Sequence, residues 1–345
     1  MQTLTINRPD DFHLHLRDSA EMTSVIKDTA RQFARAIVMP NLRPPIVTTA
    51  QALDYRNRIL KSLPENSLFE PLMTLYLSEQ TTPDDIVRAR QSGKIYAVKY
   101  YPAGATTNAE YGVRKIENVY PVLDMMIEQD LPLLLHGEVT DDDVDMFDRE
   151  QVFIDRILDE LLIRFKGLRF VLEHITTKQA VQFVKQGPDT LAATITPQHL
   201  MLNSKALYTN GVINPHHYCL PVLKGETHQQ AIIEAATSGH PRFFLGTDSA
   251  PHSKSNKESD CGCAGIYTAH SAIEFYAEVF DQAGCLDRLE AFASHYGADF
   301  YGLPRNQTTI TLQKEVWNIP ATLPFGDGEL VPFRATEECQ WKLQS

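Results

Sequence analysis

The sequence has no excess of basic residues and no long apolar run, and these absences exclude whole classes of protein. Its 345 residues carry 32 Lys and Arg against 44 Asp and Glu, a net charge of -12. No basic face is therefore available for a phosphate backbone, and a small-molecule substrate is favoured over nucleic acid. No run is long enough to span a bilayer, and the opening MQTLTINRPDD lacks the pattern of a signal peptide. We expect a cytoplasmic protein that binds neither membranes nor nucleic acid.

Cysteine is also scarce, with five residues scattered over the chain. An odd, dispersed set does not build a disulfide framework, so we expect reduced thiols. Cys261 and Cys263 in SDCGCAG could suggest a metal site, but a structural zinc centre needs four ligands and the sequence has no second close pair. A loop of small residues is the preferred interpretation, and the role of this loop stays open.

What the sequence does contain is the stretch FHLHLRD near its start. In an extended strand, His13 and His15 project to one face, while Phe12, Leu14 and Leu16 project to the other. Two imidazoles on one face can bind one metal ion, although two ordinary polar residues at a strand end would give the same pattern. The heptapeptide alone leaves both interpretations open.

Eight short apolar runs recur along the chain, and most of them end in a polar residue. They are LTINRPDDFHLHL, AIVMPN, PLMTLYL, IYAVKYYP, LPLLLHGE, RFVLEHIT, LAATITPQH and RFFLGTDSAPH. Helical segments are predicted between them, at about 20–35, 49–62, 83–92, 115–129, 144–166, 177–187, 226–239 and 268–283. Apolar strands without strict polar alternation indicate a parallel sheet, and eight strand and helix units predict an α/β (β/α)8 TIM barrel.

A doubly wound open sheet is the alternative fold. It lacks its main support, because no G-x-G-x-x-G follows the first strand. We predict a single domain over residues 1–345, in which residues 305–345 form a C-terminal extension.

Polar residues at the ends of the predicted strands would meet at one mouth of such a barrel. They are His13 and His15 from the first strand, Lys99 from the fourth, His136 from the fifth, His174 from the sixth and Asp248 from the eighth. Four histidines and a carboxylate exceed the three protein ligands of a single catalytic zinc but suit two ions about 3.5–4 Å apart. A bridging anion is then needed, and Lys99 could supply it as a carbamate if burial favours its neutral amine.

The chain resembles the amidohydrolase superfamily, and within it the dihydroorotases of the shorter bacterial type. The resemblance extends over nearly the whole chain, through RPDDFHLHLRD, AIVMPNL, YPAGATTN, LLLHGEVT, LEHITTK, ATITPQHL, YCLPVLK, LGTDSAPH and CGCAG. It implies a zinc-dependent hydrolase that interconverts dihydroorotate and N-carbamoyl-L-aspartate, the third step of pyrimidine synthesis. Family members often pair, so a homodimer is expected.

The resemblance also implies two zinc ions per subunit, bridged by carboxylated Lys99. The implied ligands are His13, His15 and Asp248 for the more buried ion and His136 and His174 for the other. A bridging hydroxide would attack the amide carbonyl, and Asp248 would take up its proton and pass it to the leaving nitrogen.

The substrate keeps a free carboxylate, which requires donors away from the metals. Arg17, two positions beyond His15 and expected on the same strand face, has a fork of N–H groups that suits a carboxylate. A salt bridge with Asp18 is its alternative role. By resemblance, the carboxylate is held by Arg17, Asn41 and His252, and the ring amide is bound by backbone groups of Leu220 and Ala264.

Residues 102–112, PAGATTNAEYG, are either a solvated loop or, as the resemblance implies, a mobile flap that closes Thr106 and Thr107 over the substrate. Among the other histidines, His199 is expected to pack behind the site. The remaining ones are expected at the surface, namely His216, His217, His228, His240, His270 and His295.

Two rival functions stay open. Another cyclic-amide hydrolase, such as a hydantoinase or an allantoinase, would share the metal ligands and differ in the substrate donors Arg17, Asn41 and His252. An inactive scaffold would be expected to lack a metal ligand, and none is missing from the sequence.

Overall fold

The computed structural model describes residues 2–209, 211–260 and 262–344, and its centre is a nearly closed barrel of eight parallel strands. In chain order these strands are β2 (Asp10–Leu14), β3 (Arg35–Val38), β4 (Glu70–Tyr76), β5 (Ile95–Tyr100), β6 (Leu133–Leu135), β7 (Phe170–Leu172), β8 (Leu191–Ile195) and β11 (Phe243–Leu245). Each pairs with the next in this order, and a bridge between Leu14 and Ser249 joins the two ends of the sheet. The predicted (β/α)8 TIM barrel is confirmed.

Helices follow the strands close to the predicted positions. They are α1 (Ser19–Gln32), α2 (Thr49–Ser62), α3 (Pro83–Gln91), α4 (Tyr120–Glu128), α5 (Arg149–Phe153), α6 (Asp159–Arg164), α7 (Lys178–Gln186), α8 (Pro197–Met201), α9 (Glu226–Thr237), α10 (Lys254–Lys257), α11 (Ala272–Gln282) and α12 (Tyr296–Tyr301). Thr48 and Thr82 are the N-cap residues of α2 and α3 and form capping boxes. The predicted starts of these two helices, at residues 49 and 83, therefore agree with the structure. Within the described ranges, none of the helices is both long and apolar enough to cross a membrane.

The predicted first strand is wrong as one element, because it consists of two strands in different sheets. Pro9 separates β1 (Thr3–Asn7) from β2, and a proline has no N–H to donate to a continuous ladder. β1 pairs antiparallel with β12 (Thr309–Asn318), which in turn pairs with β15 (Glu338–Leu343). Two small hairpins complete the strands, β9 (Tyr208–Thr209) with β10 (Val212–Ile213) and β13 (Leu323–Phe325) with β14 (Gly328–Leu330). The single domain over residues 1–345, with residues 305–345 as a C-terminal extension, stays a prediction.

The expected side-chain alternation of FHLHLRD is wrong at Phe12. The pairing of β2 with β3 is irregular between Asp11 and Leu14, and such a bulge changes which face a side chain meets. Phe12 therefore packs inside the barrel against Phe244, with ring centroids 5.2 Å apart, while Leu14 joins the layer between the strands and the helices.

The end of the barrel opposite the strands' carboxyl ends is filled by apolar side chains and covered by α12. Phe12 stacks on Tyr301 of this helix at 5.0 Å between ring centroids. Gly297 lies so close to the Phe12 ring that a Cβ atom at this position would come within 2.1 Å of it. Small size at residue 297 therefore lets the helix close the barrel, and the opposite mouth is left for polar groups.

Candidate active site

The carboxyl ends of β2 and β11 bring together the first group of polar side chains. Asp11 links the two ends, because its carboxylate accepts hydrogen bonds from the N–H of His13 (3.1 Å), the N–H of Thr247 (2.8 Å) and the Thr247 hydroxyl. The N–H of Asp248 also donates to the carbonyl of His13 at 2.9 Å. Asp11 is not among the residues predicted for the site, although it lies next to the histidines in RPDDFHLHLRD.

These bonds place three potential ligand atoms around one point. Nε2 of His13 lies 3.2 Å from Nε2 of His15, and Oδ1 of Asp248 lies 3.3 Å and 3.2 Å from these two atoms. All three side chains are buried. Ligands of a tetrahedral zinc ion, bound at about 2.0–2.1 Å, are about 3.3 Å apart, so the spacing fits a zinc ion. His13, His15 and Asp248 thus form a group that could hold a metal ion.

The protonation states in this group also suit metal binding, which requires neutral imidazoles and an ionised carboxylate. Burial lowers the pKa of His13 well below its ordinary value, and it lowers the pKa of His15. Burial by itself raises the pKa of Asp248, but interactions with His13 and His15 outweigh it and the net shift is downward.

Lys99 lies at the end of β5 with its side chain fully buried, and its Nζ contacts Oε2 of Glu173. Burial lowers the pKa of Lys99 although Glu173 opposes this shift. The other carboxylate oxygen of Glu173 lies 3.0 Å from Nδ1 of His13, on the far side of the ring from His15. Glu173 is not among the residues predicted for the site, although it directly precedes His174 in LEHITTK.

His136 and His174 lie on neighbouring strands with ring centroids 4.9 Å apart, and the rings of His13 and His174 are 5.1 Å apart. His174 forms a second metal-competent group with His13 and Glu173. None of the described residues hydrogen-bonds its buried Nδ1. Nε2 of His136 contacts the carboxylate of Glu138 at 2.8 Å, and His136 belongs to neither metal-competent group of the described residues. The fit to a second ion is therefore less complete than the fit to the first.

Arg17 lies beyond the end of β2, so the expectation that it shares a strand face with His15 is wrong. The backbone of Arg17 has a φ of 61°, in the left-handed region, and the backbones of His174 (φ 43°) and Asp248 (φ 45°) lie in the same region. Residues other than glycine rarely adopt this conformation, and those that do concentrate at functional sites. Asp18 does not pair with Arg17. It begins α1 as its N-cap and forms a bidentate ion pair with Arg58 instead.

The Arg17 guanidinium contacts His252, with 2.9 Å between Nη2 and Nε2, and its Nε donates to the carbonyl of Pro251 at 2.8 Å. The same Nε2 atom of His252 lies 3.0 Å from the carbonyl oxygen of Ala264. A guanidinium only donates and a carbonyl only accepts, so the single ring nitrogen satisfies one of these partners at a time. One donor of Arg17 is therefore available to another acceptor whenever His252 donates to Ala264.

The predicted substrate-binding residues surround one small cavity of about 20 Å³ beside Asp248. The lining includes His15, Arg17, Asn41, Thr106, Thr107, Leu220, Asp248 and Ala264. His252 contacts this shell through Arg17 and Ala264. The loop after β5 covers the cavity, since Nδ2 of Asn41 donates to the carbonyl of Thr107 at 3.1 Å and the Thr107 hydroxyl donates to the carbonyl of Ala264 at 3.3 Å.

The remaining histidines and cysteines divide between core and surface. His199 packs behind the cavity as expected, and burial lowers its pKa to about 4. The expectation of a surface position is wrong for His270, which is buried against the rings of Tyr267 and Phe275. Cys261 lies outside the described residues. Cys263 is a free thiol, and neither metal-competent group of the described residues includes a cysteine.

Comparison with known proteins assigns the whole chain to a family. A curated dihydroorotase from Nitrosomonas europaea is 62% identical over 342 residues, which cover 99% of this chain and 98% of the relative. The chain belongs to the dihydroorotase family. The match of the motifs to dihydroorotases is thereby confirmed, and the chain is an enzyme, a hydrolase that acts on a cyclic amide. The family is metal-dependent, in agreement with the metal-competent groups at the barrel mouth. No family model matches the chain.

Solved structures of dihydroorotases share the fold over the full length. The Saccharomyces cerevisiae enzyme, in complex with 5-fluoroorotic acid, has a TM-score of 0.92 and 33% identity, covering 100% of this chain and 99% of that chain. The Campylobacter jejuni dihydroorotase has a TM-score of 0.91 and 34% identity over 99% and 98%. An L-hydantoinase from Arthrobacter aurescens, with a TM-score of 0.77 over 98% and 82%, is only 12% identical, so it shares the fold alone.

Proposed function

We propose that this chain catalyses the reversible hydrolysis of (S)-dihydroorotate to N-carbamoyl-L-aspartate in pyrimidine biosynthesis. The proposal rests on the position of Arg17. It contacts His252 and lines the same small cavity as His15 and Asp248, which form a metal-competent group with His13. A substrate bound there would present its carboxylate to cationic and polar donors and its amide to the metal ligands. The Saccharomyces cerevisiae relative binds 5-fluoroorotic acid, a pyrimidine carboxylic acid of the same chemical class.

The residues fit the first ion of the metal centre that the family implies, and they fit the second ion less completely. His13, His15 and Asp248 would hold one zinc ion, and His136 and His174 a second, with carboxylated Lys99 between them. When bound, such a pair would supply a water of lowered pKa and polarise the amide carbonyl. Burial of Lys99 supports the neutral amine that reaction with CO2 requires.

Asp248 would carry the proton in both directions. In ring opening, its ionised carboxylate accepts the proton of the attacking water and delivers it to the ring nitrogen that leaves. In ring closure, the protonated carboxyl group donates its proton to the departing carboxylate oxygen. The ionised Asp248 then takes the proton of the ureido nitrogen that forms the ring bond and passes it to the same oxygen, which leaves as water. The lowered pKa of Asp248 supports the ionised form as the resting state.

Substrate recognition would use donors on four different loops. Arg17, Asn41 and His252 hold the carboxylate, and backbone groups of Leu220 and Ala264 bind the ring amide. A cavity of about 20 Å³ has room for about one water, so the loop that carries Thr106 and Thr107 has to move to admit a pyrimidine ring. Its return would exclude water from the reaction, as in other enzymes with closing loops.

Assembly and location complete the proposal without being needed for the chemistry. A homodimer and a cytoplasmic location both stay predictions, and size-exclusion chromatography with light scattering tests the first of them.

The decisive experiment compares substrates and directions in one protein. The zinc-loaded chain should open dihydroorotate and leave hydantoin and allantoin almost untouched, and closure should be favoured in mild acid and opening in mild alkali. Asp248→Asn should slow both directions together by about two orders of magnitude. Preference for hydantoin would support the rival hydrolase, and no turnover of any of these substrates would support an inactive scaffold. Loss of one direction alone in Asp248→Asn would assign the proton transfer to another group.

A further inference from the structure

Lys257, the last residue of α10, is a buried cation with no part in the proposed reaction. Lys257 is only 5% exposed, and its ammonium donates to three backbone carbonyls. These are the carbonyls of Tyr218 at 2.8 Å, Cys263 at 2.7 Å and Gly265 at 2.8 Å. An ammonium has three N–H donors, so this set of partners satisfies it completely.

The three carbonyls lie on the two segments that line the ring side of the cavity. Cys263 and Gly265 flank Ala264, so Lys257 fixes the backbone on both sides of this residue. Tyr218 lies two residues before Leu220, and its carbonyl also accepts a hydrogen bond from the N–H of Gly265 at 3.0 Å. Lys257 therefore ties the Leu220 segment to the Ala264 segment.

A second buried side chain holds the Leu220 segment from its other end. Nε2 of His199 lies 3.0 Å from the carbonyl oxygen of Pro221, and Nδ1 of the same ring lies 2.7 Å from the Thr196 hydroxyl. Because a carbonyl only accepts, Nε2 donates and Nδ1 accepts. The peptide groups around Leu220 are thus anchored by Lys257 on one side and His199 on the other.

We propose that Lys257 is a positioning residue for ring recognition, which sets the spacing between the backbone groups of Leu220 and Ala264 that bind the cyclic amide. It touches neither the metal ligands nor the groups that hold the carboxylate. The inference rests on the proposed function, because it assumes that Leu220 and Ala264 bind the ring. Its charge also acts on Arg17 and His252 from a distance, so its loss should weaken binding of the ring more than binding of a bare carboxylate.

The test compares Lys257→Met with Lys254→Met, which replaces a partly exposed lysine on the same short helix whose Nζ pairs with Glu329 at 3.2 Å. In Lys257→Met we expect the KM for dihydroorotate and the inhibition constant of orotate to rise about 10-fold or more, with kcat and zinc content almost unchanged. Inhibition by succinate, which offers carboxylates but no ring amide, should weaken much less than inhibition by orotate. The Gly265 amide should exchange its hydrogen faster, and Lys254→Met should match the wild type throughout.

Three results would overturn the inference: equal weakening of orotate and succinate, an unchanged KM, or the same effects in Lys254→Met. If Lys257→Met does not fold, Lys257→Arg keeps the charge but spreads its donors over a planar fork, which cannot direct three N–H groups from one nitrogen. Its KM for dihydroorotate should still rise, and a wild-type KM in this folded variant would also overturn the inference. If the wild type does not hydrolyse dihydroorotate, the proposed function fails, and Gly265 exchange still tests the anchoring by Lys257.

Discussion

At the residue scale, the contact between Arg17 and His252 explains how the site can accept an anion although its polar groups already have neighbours within hydrogen-bond distance. The Nε2 atom of His252 has two partners, at 2.9 Å and 3.0 Å, that need opposite roles from it. Burial, and the adjacent guanidinium of Arg17, lower the pKa of His252 well below its ordinary value, so the ring is neutral and has only one N–H. A substrate carboxylate would resolve the conflict by accepting from both Arg17 and His252, which releases the carbonyl of Ala264 from His252 for the ring amide.

Replacing Arg17 with Met should therefore raise the KM for dihydroorotate by about 10-fold to 100-fold, because a charge-assisted hydrogen bond of about 1.5–3 kcal/mol is lost. Zinc content measured by mass spectrometry should not change, since Arg17 is not a proposed ligand. Arg58→Met, which breaks a half-exposed ion pair with Asp18, is the matched control and should alter KM little. Loss of zinc from Arg17→Met would make Arg17 a structural residue.

Lys99 can have either of two roles, as the bridging carbamate that we propose or as the ion-pair partner of Glu173. Lys99→Ala should abolish activity and paired metal binding, and short carboxylic acids should partly restore both if a carbamate is missing. An ion-pair role alone predicts destabilisation by about 3–5 kcal/mol, from the buried charge of Glu173, and no rescue. Lys94→Ala, which removes a half-exposed lysine directly before β5, provides the control.

At the scale of elements, the seal between α12 and the barrel depends on one missing side chain. Gly297→Ala would place its Cβ against the Phe12 ring, where 2.1 Å is available, so the helix has to shift away from the strands. We expect a loss of unfolding free energy of about 1–3 kcal/mol, or more if Phe12 cannot move, as measured by urea denaturation.

The control for this change is Gly328→Ala, where the nearest atom is 3.9 Å from the new Cβ and no strain is expected. Equal stability of the two variants would mean that α12 packs loosely. Because Phe12 directly precedes His13, a displaced Phe12 should also reduce zinc affinity in Gly297→Ala and not in Gly328→Ala.

At the scale of the whole molecule, buried neutral histidines tie stability to pH. Burial lowers the pKa of His270 from 6.5 to about 3, so between these values the folded chain binds fewer protons at this ring than the unfolded chain does. Stability therefore rises with pH across this window, and the contribution present above pH 6.5 is lost as the pH falls toward 3.

Denaturation of the wild type and of His270→Phe at several pH values between 7 and 5 checks this effect. The variant keeps a ring between Tyr267 and Phe275 but cannot bind a proton there. As the pH falls, its unfolding free energy should therefore decrease less steeply than that of the wild type, and the two slopes should differ by up to about 1.4 kcal/mol per pH unit. Burial lowers the pKa of His240 as well, but its ring is partly exposed, so His240→Phe should change the slope less than His270→Phe does. Identical slopes in all three proteins would show that His270 is protonated without cost.

The sequence by itself determined the fold and the identity of most of the candidate site. Apolar runs and helical segments alternate on a local scale, and capping residues such as Thr48 mark boundaries within a few positions of the chain. In a parallel barrel all strands end at the same mouth, so His13, Lys99 and Asp248 could be grouped without any contact being known. Their roles in binding and catalysis stay predictions until they are measured.

Only the tertiary structure decided how distant segments fit together, because such contacts leave no local pattern. Thr5 pairs with Thr311 across almost the whole chain, and this pairing draws β1 out of the predicted first strand. The bulge that turns Phe12 into the barrel, the contact of Glu173 with Lys99 and the three carbonyls around Lys257 likewise depend on groups brought together by folding. A residue's type and neighbours along the chain fix its chemistry, whereas its partner in a buried site is fixed by how the elements pack.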